Sequence, residues 1–194
     1  MAQVRSLCVY CGSRIGRDPS HAAAAAALGE ALARRGITLV YGGGRVGLMG
    51  VMADACLAAG GRVVGIIPRH LYAWEVGHDG VSELLVVENM HTRKRLMVER
   101  SDAVAVLPGA LGTLDETLEM ATWRQVGLHD LPIVVVDVAG YWQPLLHLVR
   151  HAVAEGYVDA QVAAALQFVG SVDELFAALD AAPPPRFAFE DRWA

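Results

Sequence analysis

Short runs of β-branched and aliphatic residues alternate along this chain with longer segments whose apolar positions recur every three or four residues. Val4 to Tyr10 is a β-branched and aromatic run that ends in Cys11-Gly12-Ser13, and the alanine-rich segment from Pro19 to Arg35 reads as a helix closed by Gly36. The alternation returns as a strand over Ile37 to Tyr41, a helix over Leu48 to Ala59 closed by Gly60-Gly61, and a strand from Arg62 to Ile67 stopped by Pro68. Leu84 to Val87, Ala103 to Leu107 and Ile133 to Val136 continue the strands, with helices near Met90 to Arg100, Leu114 to Val126 and Trp142 to Glu155. Strands apolar on every position are buried on both faces. The pattern therefore predicts a Rossmann-like α/β fold: a doubly wound, mostly parallel sheet with helices on both faces and ligands at the strands' carboxyl ends. A single domain is expected over residues 1–182, followed by a Pro-rich C-terminal tail over 183–194 that begins where Pro183-Pro184-Pro185 ends the last helix.

Three of these strand ends carry small, backbone-exposing turns: Cys11-Gly12-Ser13, Gly42-Gly43-Gly44, and Pro108 to Gly112. On one sheet edge they predict a crevice for a nucleotide or sugar phosphate, because glycine lets a ligand approach the backbone and free N–H groups at a helix start attract anions. In the third turn, Leu107-Pro108-Gly109-Ala110-Leu111-Gly112-Thr113-Leu114-Asp115-Glu116, the pair Thr113 and Glu116 also reads as a capping box that would satisfy the helix's first N–H groups. Ser171-Val172-Asp173-Glu174 is a second such box with no glycine loop before it. Gly42-x-Gly44-x-x-Gly47 matches a dinucleotide fingerprint, but the next strand ends in Ile67-Pro68-Arg69, with no acidic residue for an adenosine ribose, which argues against NAD.

Composition narrows the chemistry further. A net charge of −5 gives no general basic field, so neither nucleic acid nor an anionic membrane is an expected partner. No charged-then-apolar leader opens the chain and no apolar run reaches bilayer length, so a cytoplasmic location is expected. Cys8, Cys11 and Cys56 follow no zinc pattern, and Cys8 and Cys11, three apart on a strand, face opposite ways. The seven histidines show no metal-ligand spacing, and the expectation is no metal and no cofactor. Lys94 is the only lysine; without a Gly-Lys-Ser/Thr triplet there is no P-loop, and a pyridoxal Schiff base would have to form between Arg93 and Arg95.

The stretch Asn89-Met90-His91-Thr92-Arg93-Lys94-Arg95-Leu96-Met97 begins a helix that Asn89 can cap. Arg93 shares a face with Met90 and Met97, a position open to an arginine snorkelling over apolar neighbours as well as to an anion clamp. Its helix follows one strand and Glu116 follows what is expected to be the adjacent one, so the two side chains are expected to meet.

Residues 8 to 170 resemble the LONELY GUY family of cytokinin-activating phosphoribohydrolases, once labelled lysine decarboxylases. The resemblance rests on Cys11-Gly12-Ser13, Val40-Tyr41-Gly42-Gly43-Gly44, Gly47-Leu48-Met49-Gly50, Glu75-Val76-x-His78, Met90-His91-x-Arg93-Lys94, Pro108 to Glu116, and Thr122-Trp123-x-Gln125-x-Gly127-x-His129. The family pattern PGGxGTxxE appears as PGALGTLDE, with Ala110 at a glycine position; alanine keeps the N–H but disfavours positive φ. The resemblance implies hydrolysis of the N-glycosidic bond of an adenosine 5′-monophosphate, N6-modified or not, to free base and ribose 5-phosphate. It implies Arg93 and Glu116 as the catalytic pair and Glu75, Lys94, Ala110, Leu111, Gly112, Thr113 and Thr122 as substrate contacts, beside the turn residues Gly12, Ser13, Gly43 and Gly44. Glu116 has two roles open to it, activating water or stabilising the ribosyl cation. A homodimer is also implied, and the apolar breadth of the helix carrying Leu118, Met120, Ala121, Trp123 and Val126 agrees with it. The alternative, motivated by Ala110, is a carrier that binds a nucleotide or cofactor at the same edge without catalysis.

Overall fold

The computed structural model describes residues 4–72 and 77–183, so Glu75 and the tail from Pro184 lie outside the described residues. The chain alternates strand and helix as its hydrophobic pattern dictates. β1 (Ser6–Tyr10), α1 (Pro19–Arg35), β2 (Thr38–Tyr41), α2 (Gly47–Ala58), β3 (Val63–Pro68), α3 (Arg69–Tyr72), β4 (Glu83–Val87) and α4 (Met90–Glu99) form the first half. β5 (Ala103–Val106), α5 (Leu111–Gln125), β6 (Ile133–Val136), α6 (Gln143–Ala154), α7 (Ala160–Ala163), β7 (Leu166–Val169) and α8 (Val172–Ala181) form the second. The seven strands make one sheet in the order β4-β3-β2-β1-β5-β6-β7, and every pairing in it is parallel.

Strand residues alternate between the two faces, and each face is covered. Leu7 and Val9 meet α1, α2 and α8 through Leu28, Met52 and Phe176, whereas Cys8 and Tyr10 meet α4, α5 and α6 through Met97, Met120 and Leu145. Cys8 and Cys11 accordingly fall in opposite core clusters, as their spacing on a strand requires. Burying a side chain such as Leu7 or Leu28 contributes about 2 kcal/mol, and the two clusters together clamp the sheet. Asp18 caps α1 by accepting from the Ser20 N–H at 2.9 Å, and Gly36 ends it at φ 67°.

One expectation about placement needs correction. β4 and β5 are not neighbours: β3, β2 and β1 lie between them. α4 therefore starts above the ends of β2 and β3 and returns across the sheet, and this crossing is what brings Arg93 toward Glu116. The strand β7 and the helix α3 are short additions that the hydrophobic pattern does not separate from their surroundings.

Candidate active site

The three turns after β1, β2 and β5 do meet on one edge. The Gly12 N–H donates to Pro108 O at 3.0 Å and the Leu48 N–H to Gly12 O at 3.0 Å, so the β1 turn is hydrogen-bonded to both others. A side chain on Gly12 would press on the Cα of Gly109 at 3.3 Å, and one on Gly47, itself at φ 64°, would run into the Ser13 backbone. Glycine is thus required here for the close packing of one turn against the next.

α5 begins one turn earlier than the capping box implies. Ala110 is its N-cap, with no side-chain cap bond, and the first intrahelical bond runs from the Leu114 N–H to Ala110 O at 3.0 Å. The N–H groups of Leu111, Gly112 and Thr113 precede that bond and point out of the helix start, available to an anion. Thr113 and Glu116, being inside the helix, are not a capping box. Both turn inward, exposed by only 3% and 7%. Ser171, by contrast, does cap α8, accepting from the Glu174 N–H at 3.2 Å, while Glu174 reaches back to the Gly170 N–H at 2.8 Å.

Ala110 has φ −102° and ψ −153°, an extended conformation open to any L-residue. The alanine therefore replaces glycine without strain, and the motive for a non-catalytic carrier goes with it. Ala110→Gly is expected to change kcat/KM by less than about threefold and to lower stability by no more than about 1 kcal/mol, the entropy of an added glycine. A tenfold gain in activity on steady-state assay would show that the alanine impairs the loop.

Arg93 is fixed rather than snorkelling. Asn89 caps α4 by accepting from the Thr92 N–H at 2.9 Å, which places Arg93 in the first turn, 5% exposed. Its Nε donates to Ile66 O at 3.1 Å and its Nη2 to Gly42 O at 3.1 Å, while Nη1 stands 3.9 Å from Glu116 Oε1. A Cβ on Gly42 would overlap the guanidinium. The planar fork thus spans the ends of two strands and presents its remaining edge to the carboxylate. Between Arg93 and Glu116 opens a crevice of about 80 Å³, lined also by Tyr10, Ser13, Met49 and Met97. Burial first, then the nearby Cys8 and Glu116, pushes the Tyr10 phenol well above its ordinary pKa, so it lines the crevice uncharged.

The other expected residues divide. Gly12, Ser13, Ala110, Gly112 and Thr113 line the crevice. Leu111 does not line it and is 82% exposed. Gly43 and Gly44 do not line it: Gly43, at φ 77°, packs on Ile66 and Ile67 and accepts the His78 N–H at 2.9 Å, and Gly44 bridges to Gly77. Gly42, one residue earlier, is the member of that turn at the site. Lys94, expected to touch substrate, is turned into α5 instead, 2.7 Å from Glu119 and 3.1 Å from Asp115. Burial lowers its pKa, but the hydrogen bonds and charges of those carboxylates outweigh burial and hold the ammonium above the ordinary lysine value. Thr122 is exposed and bonds back to Leu118 O at 2.8 Å, away from the crevice of its own chain. His129 is structural: its Nδ1 accepts the Leu131 N–H, so Nε2 carries the proton and donates to Met120 O at 2.9 Å, and burial lowers its pKa to about 4.

A family model described as possible lysine decarboxylase matches residues 49–179. A probable cytokinin riboside 5′-monophosphate phosphoribohydrolase of Oryza sativa subsp. japonica, LOGL1, is 47% identical over 154 residues, spanning 79% of this chain and 69% of the rice protein. The cytokinin riboside 5′-monophosphate phosphoribohydrolase of Rhodococcoides fascians is 46% identical over 155 residues, spanning 79% of this chain and 78% of its own. Among solved structures, the molybdenum cofactor carrier protein of Chlamydomonas reinhardtii superposes with a TM-score of 0.69 at 18% identity, over 92% of this chain and 97% of that one, a likeness of fold.

Proposed function

Since the chain belongs to the family of cytokinin riboside 5′-monophosphate phosphoribohydrolases, we propose that Arg93 and Glu116 are the catalytic pair with which it works. The protein is a hydrolase of N-glycosyl bonds that converts nucleoside 5′-monophosphates of the AMP type to free base and ribose 5-phosphate. The observation that carries the residue assignment is the meeting of a buried arginine and a buried carboxylate, 3.9 Å apart, directly beside the free N–H groups of a helix start.

In this reading the 5′-phosphate sits on the N–H groups of Gly112 and Thr113, flanked by the Gly12-Ser13 turn, and its binding energy orients the ribose. C1′ then faces Glu116. As the C1′–N bond lengthens, positive charge grows on the sugar ring and negative charge on the base. The Glu116 carboxylate stabilises the first and accepts a hydrogen bond from the water that attacks C1′; the water's proton ends on the departing base. Arg93 holds Glu116 in place and keeps that face of the crevice positive. No cofactor enters this scheme.

The reading extends to a cytoplasmic homodimer. Leu111, Leu118 and Val126 expose 82%, 42% and 65% of their surfaces along one side of α5, an apolar face that a second copy would cover, and Thr122 lies on the same side. Thr122 would thus touch substrate only across such an interface. Cys8, Cys11 and Cys56 are all buried and none is held in a disulfide, which suits a reducing compartment. Among the described residues no helix is long and apolar enough to cross a membrane.

The test is incubation of the purified protein with AMP and with isopentenyladenosine 5′-monophosphate, with chromatography for free base and ribose 5-phosphate in equal amounts. A folded protein that retains these and other nucleoside monophosphates unchanged would remove the reading. Light scattering on the same sample should give twice the chain mass of 20.7 kDa, and a monomer mass would remove the dimer.

A further inference from the structure

The turn from Pro108 to Ala110 carries three carbonyl oxygens in a row, and each meets a different donor. Pro108 O accepts the Gly12 N–H at 3.0 Å, Gly109 O accepts the Tyr141 hydroxyl at 2.5 Å, and Ala110 O accepts the Leu114 N–H at 3.0 Å. Two of these donors are backbone groups, so Tyr141 is the one side chain among them. With its carbonyls engaged, the turn keeps its N–H groups for a ligand. Resting on the placement of the 5′-phosphate at this turn, we propose that Tyr141 is a positioning residue for phosphate binding, holding the Gly109–Ala110 peptide with its carbonyl turned away from the anion.

The two sides of the turn are distinct. Gly109 and Tyr141 line the side that faces His21 of α1, whereas Gly112, Thr113 and Glu116 line the catalytic crevice, and Ala110 belongs to both. The peptide joining Gly109 to Ala110 is trans, so with Gly109 O directed at Tyr141 the Ala110 N–H points the opposite way. Residue 109 has to be glycine, because a Cβ there would overlap Thr113 Oγ1 at 2.0 Å and Thr113 Cβ at 2.6 Å. It therefore brings little restraint of its own to the adjoining peptide. A flip of that peptide would aim a carbonyl dipole at the phosphate in place of an N–H, and the Tyr141 hydroxyl supplies the restraint against it.

Tyr141 is itself held in place from several directions. Its ring meets the rings of His21 and Trp142 edge-on, with centroids 5.2 Å and 4.9 Å apart, and both of those neighbours are buried. The Trp142 N–H donates to Asp137 Oδ1 at 2.6 Å, which closes the loop after β6. Within that loop Ala139 has φ 52° and ψ 28°, the only positive φ outside glycine among the described residues, and a strained conformation for an L-residue. Strain of this kind persists where the surrounding structure over-determines it, and here it turns the chain back over the glycine loop. Core packing does not account for the arrangement, since Tyr141 remains 41% exposed. Its bond to Gly109 O does.

Tyr141→Phe removes the hydroxyl and keeps both ring contacts, so the fold is retained. Titration calorimetry with ribose 5-phosphate should give a Kd raised about three- to tenfold, the effect of one hydrogen bond. The KM for AMP should rise by a similar factor while kcat stays within about twofold, because the phosphate is held alike in the ground and transition states. A merely structural role, loosening the whole site, would lower kcat as well. An unchanged Kd for ribose 5-phosphate, or a loss that falls on kcat as heavily as on KM, overturns the proposal. Wild-type protein that binds no ribose 5-phosphate overturns it too, by removing the phosphate site on which it rests. The calorimetry needs no turnover, so wild-type protein that binds ribose 5-phosphate but releases no base from AMP would strike the hydrolase reading and leave the Tyr141 comparison decisive.

Discussion

Glu116→Gln is expected to lower kcat for base release by about 10²–10⁴-fold while the protein stays folded. Glutamine has the same shape and keeps an oxygen facing Arg93, and the buried guanidinium keeps its bonds to Ile66 O and Gly42 O. The 3.9 Å separation from Arg93 makes the lost Coulomb attraction modest, and a stability change of no more than about 2 kcal/mol is expected. What disappears is the negative charge that the proposed mechanism sets beside the sugar, where the transition state needs it more than the ground state does. KM should therefore move little, since the phosphate contacts proposed above come from backbone N–H groups elsewhere. Steady-state kinetics together with circular dichroism decide the matter: a folded variant with near-normal kcat ends the catalytic assignment of Glu116.

How far this site is legible in the sequence depends on which kind of information each residue carries. The glycine turns are readable because a strand that stops in glycine signals a tight turn or a close backbone approach, and their gathering on one edge follows from parallel topology alone. The start of α5 is misplaced by pattern alone because Thr113 and Glu116 satisfy the capping spacing in sequence, whereas Ala110, which has no capping side chain, occupies the cap. Conformation at Ala110 is not readable at all: a glycine position in a family pattern suggests positive φ, and the actual −102° is visible only in the fold. Lys94 and Arg93 are sequence neighbours with different fates, since a helix turns adjacent residues about 100° apart; one reaches the carbonyls of Gly42 and Ile66, the other the carboxylates of α5. The meeting of Arg93 and Glu116 does not follow from adjacent strands, the ground on which the sequence suggests it. They come together because α4 recrosses the sheet over three intervening strands, a tertiary fact that strand order, and not sequence order, decides.

Arg93→Ala should be the more damaging change, because it acts on stability and turnover together. The side chain satisfies two strand-end carbonyls and faces a carboxylate that is only 7% exposed. Removing it leaves Gly42 O and Ile66 O without this donor and strips Glu116 of its nearest arginine in a low-dielectric crevice, a loss of about 3–5 kcal/mol for breaking a buried pair. Urea denaturation should show that loss as a lower midpoint with little change in slope, since the core clusters on both sheet faces are untouched. Turnover should fall by about 10²–10³-fold even in the fraction that remains folded, because Glu116 is no longer held against the reacting bond. Arg93→Lys separates the two effects. A lysine restores positive charge but cannot span both carbonyls and the carboxylate with one planar fork, so it should recover part of the stability and less of the turnover. If lysine restores both fully, charge alone is what the site requires; if Arg93→Ala is as stable and as active as the wild type, the fork has no part in either the fold or the reaction.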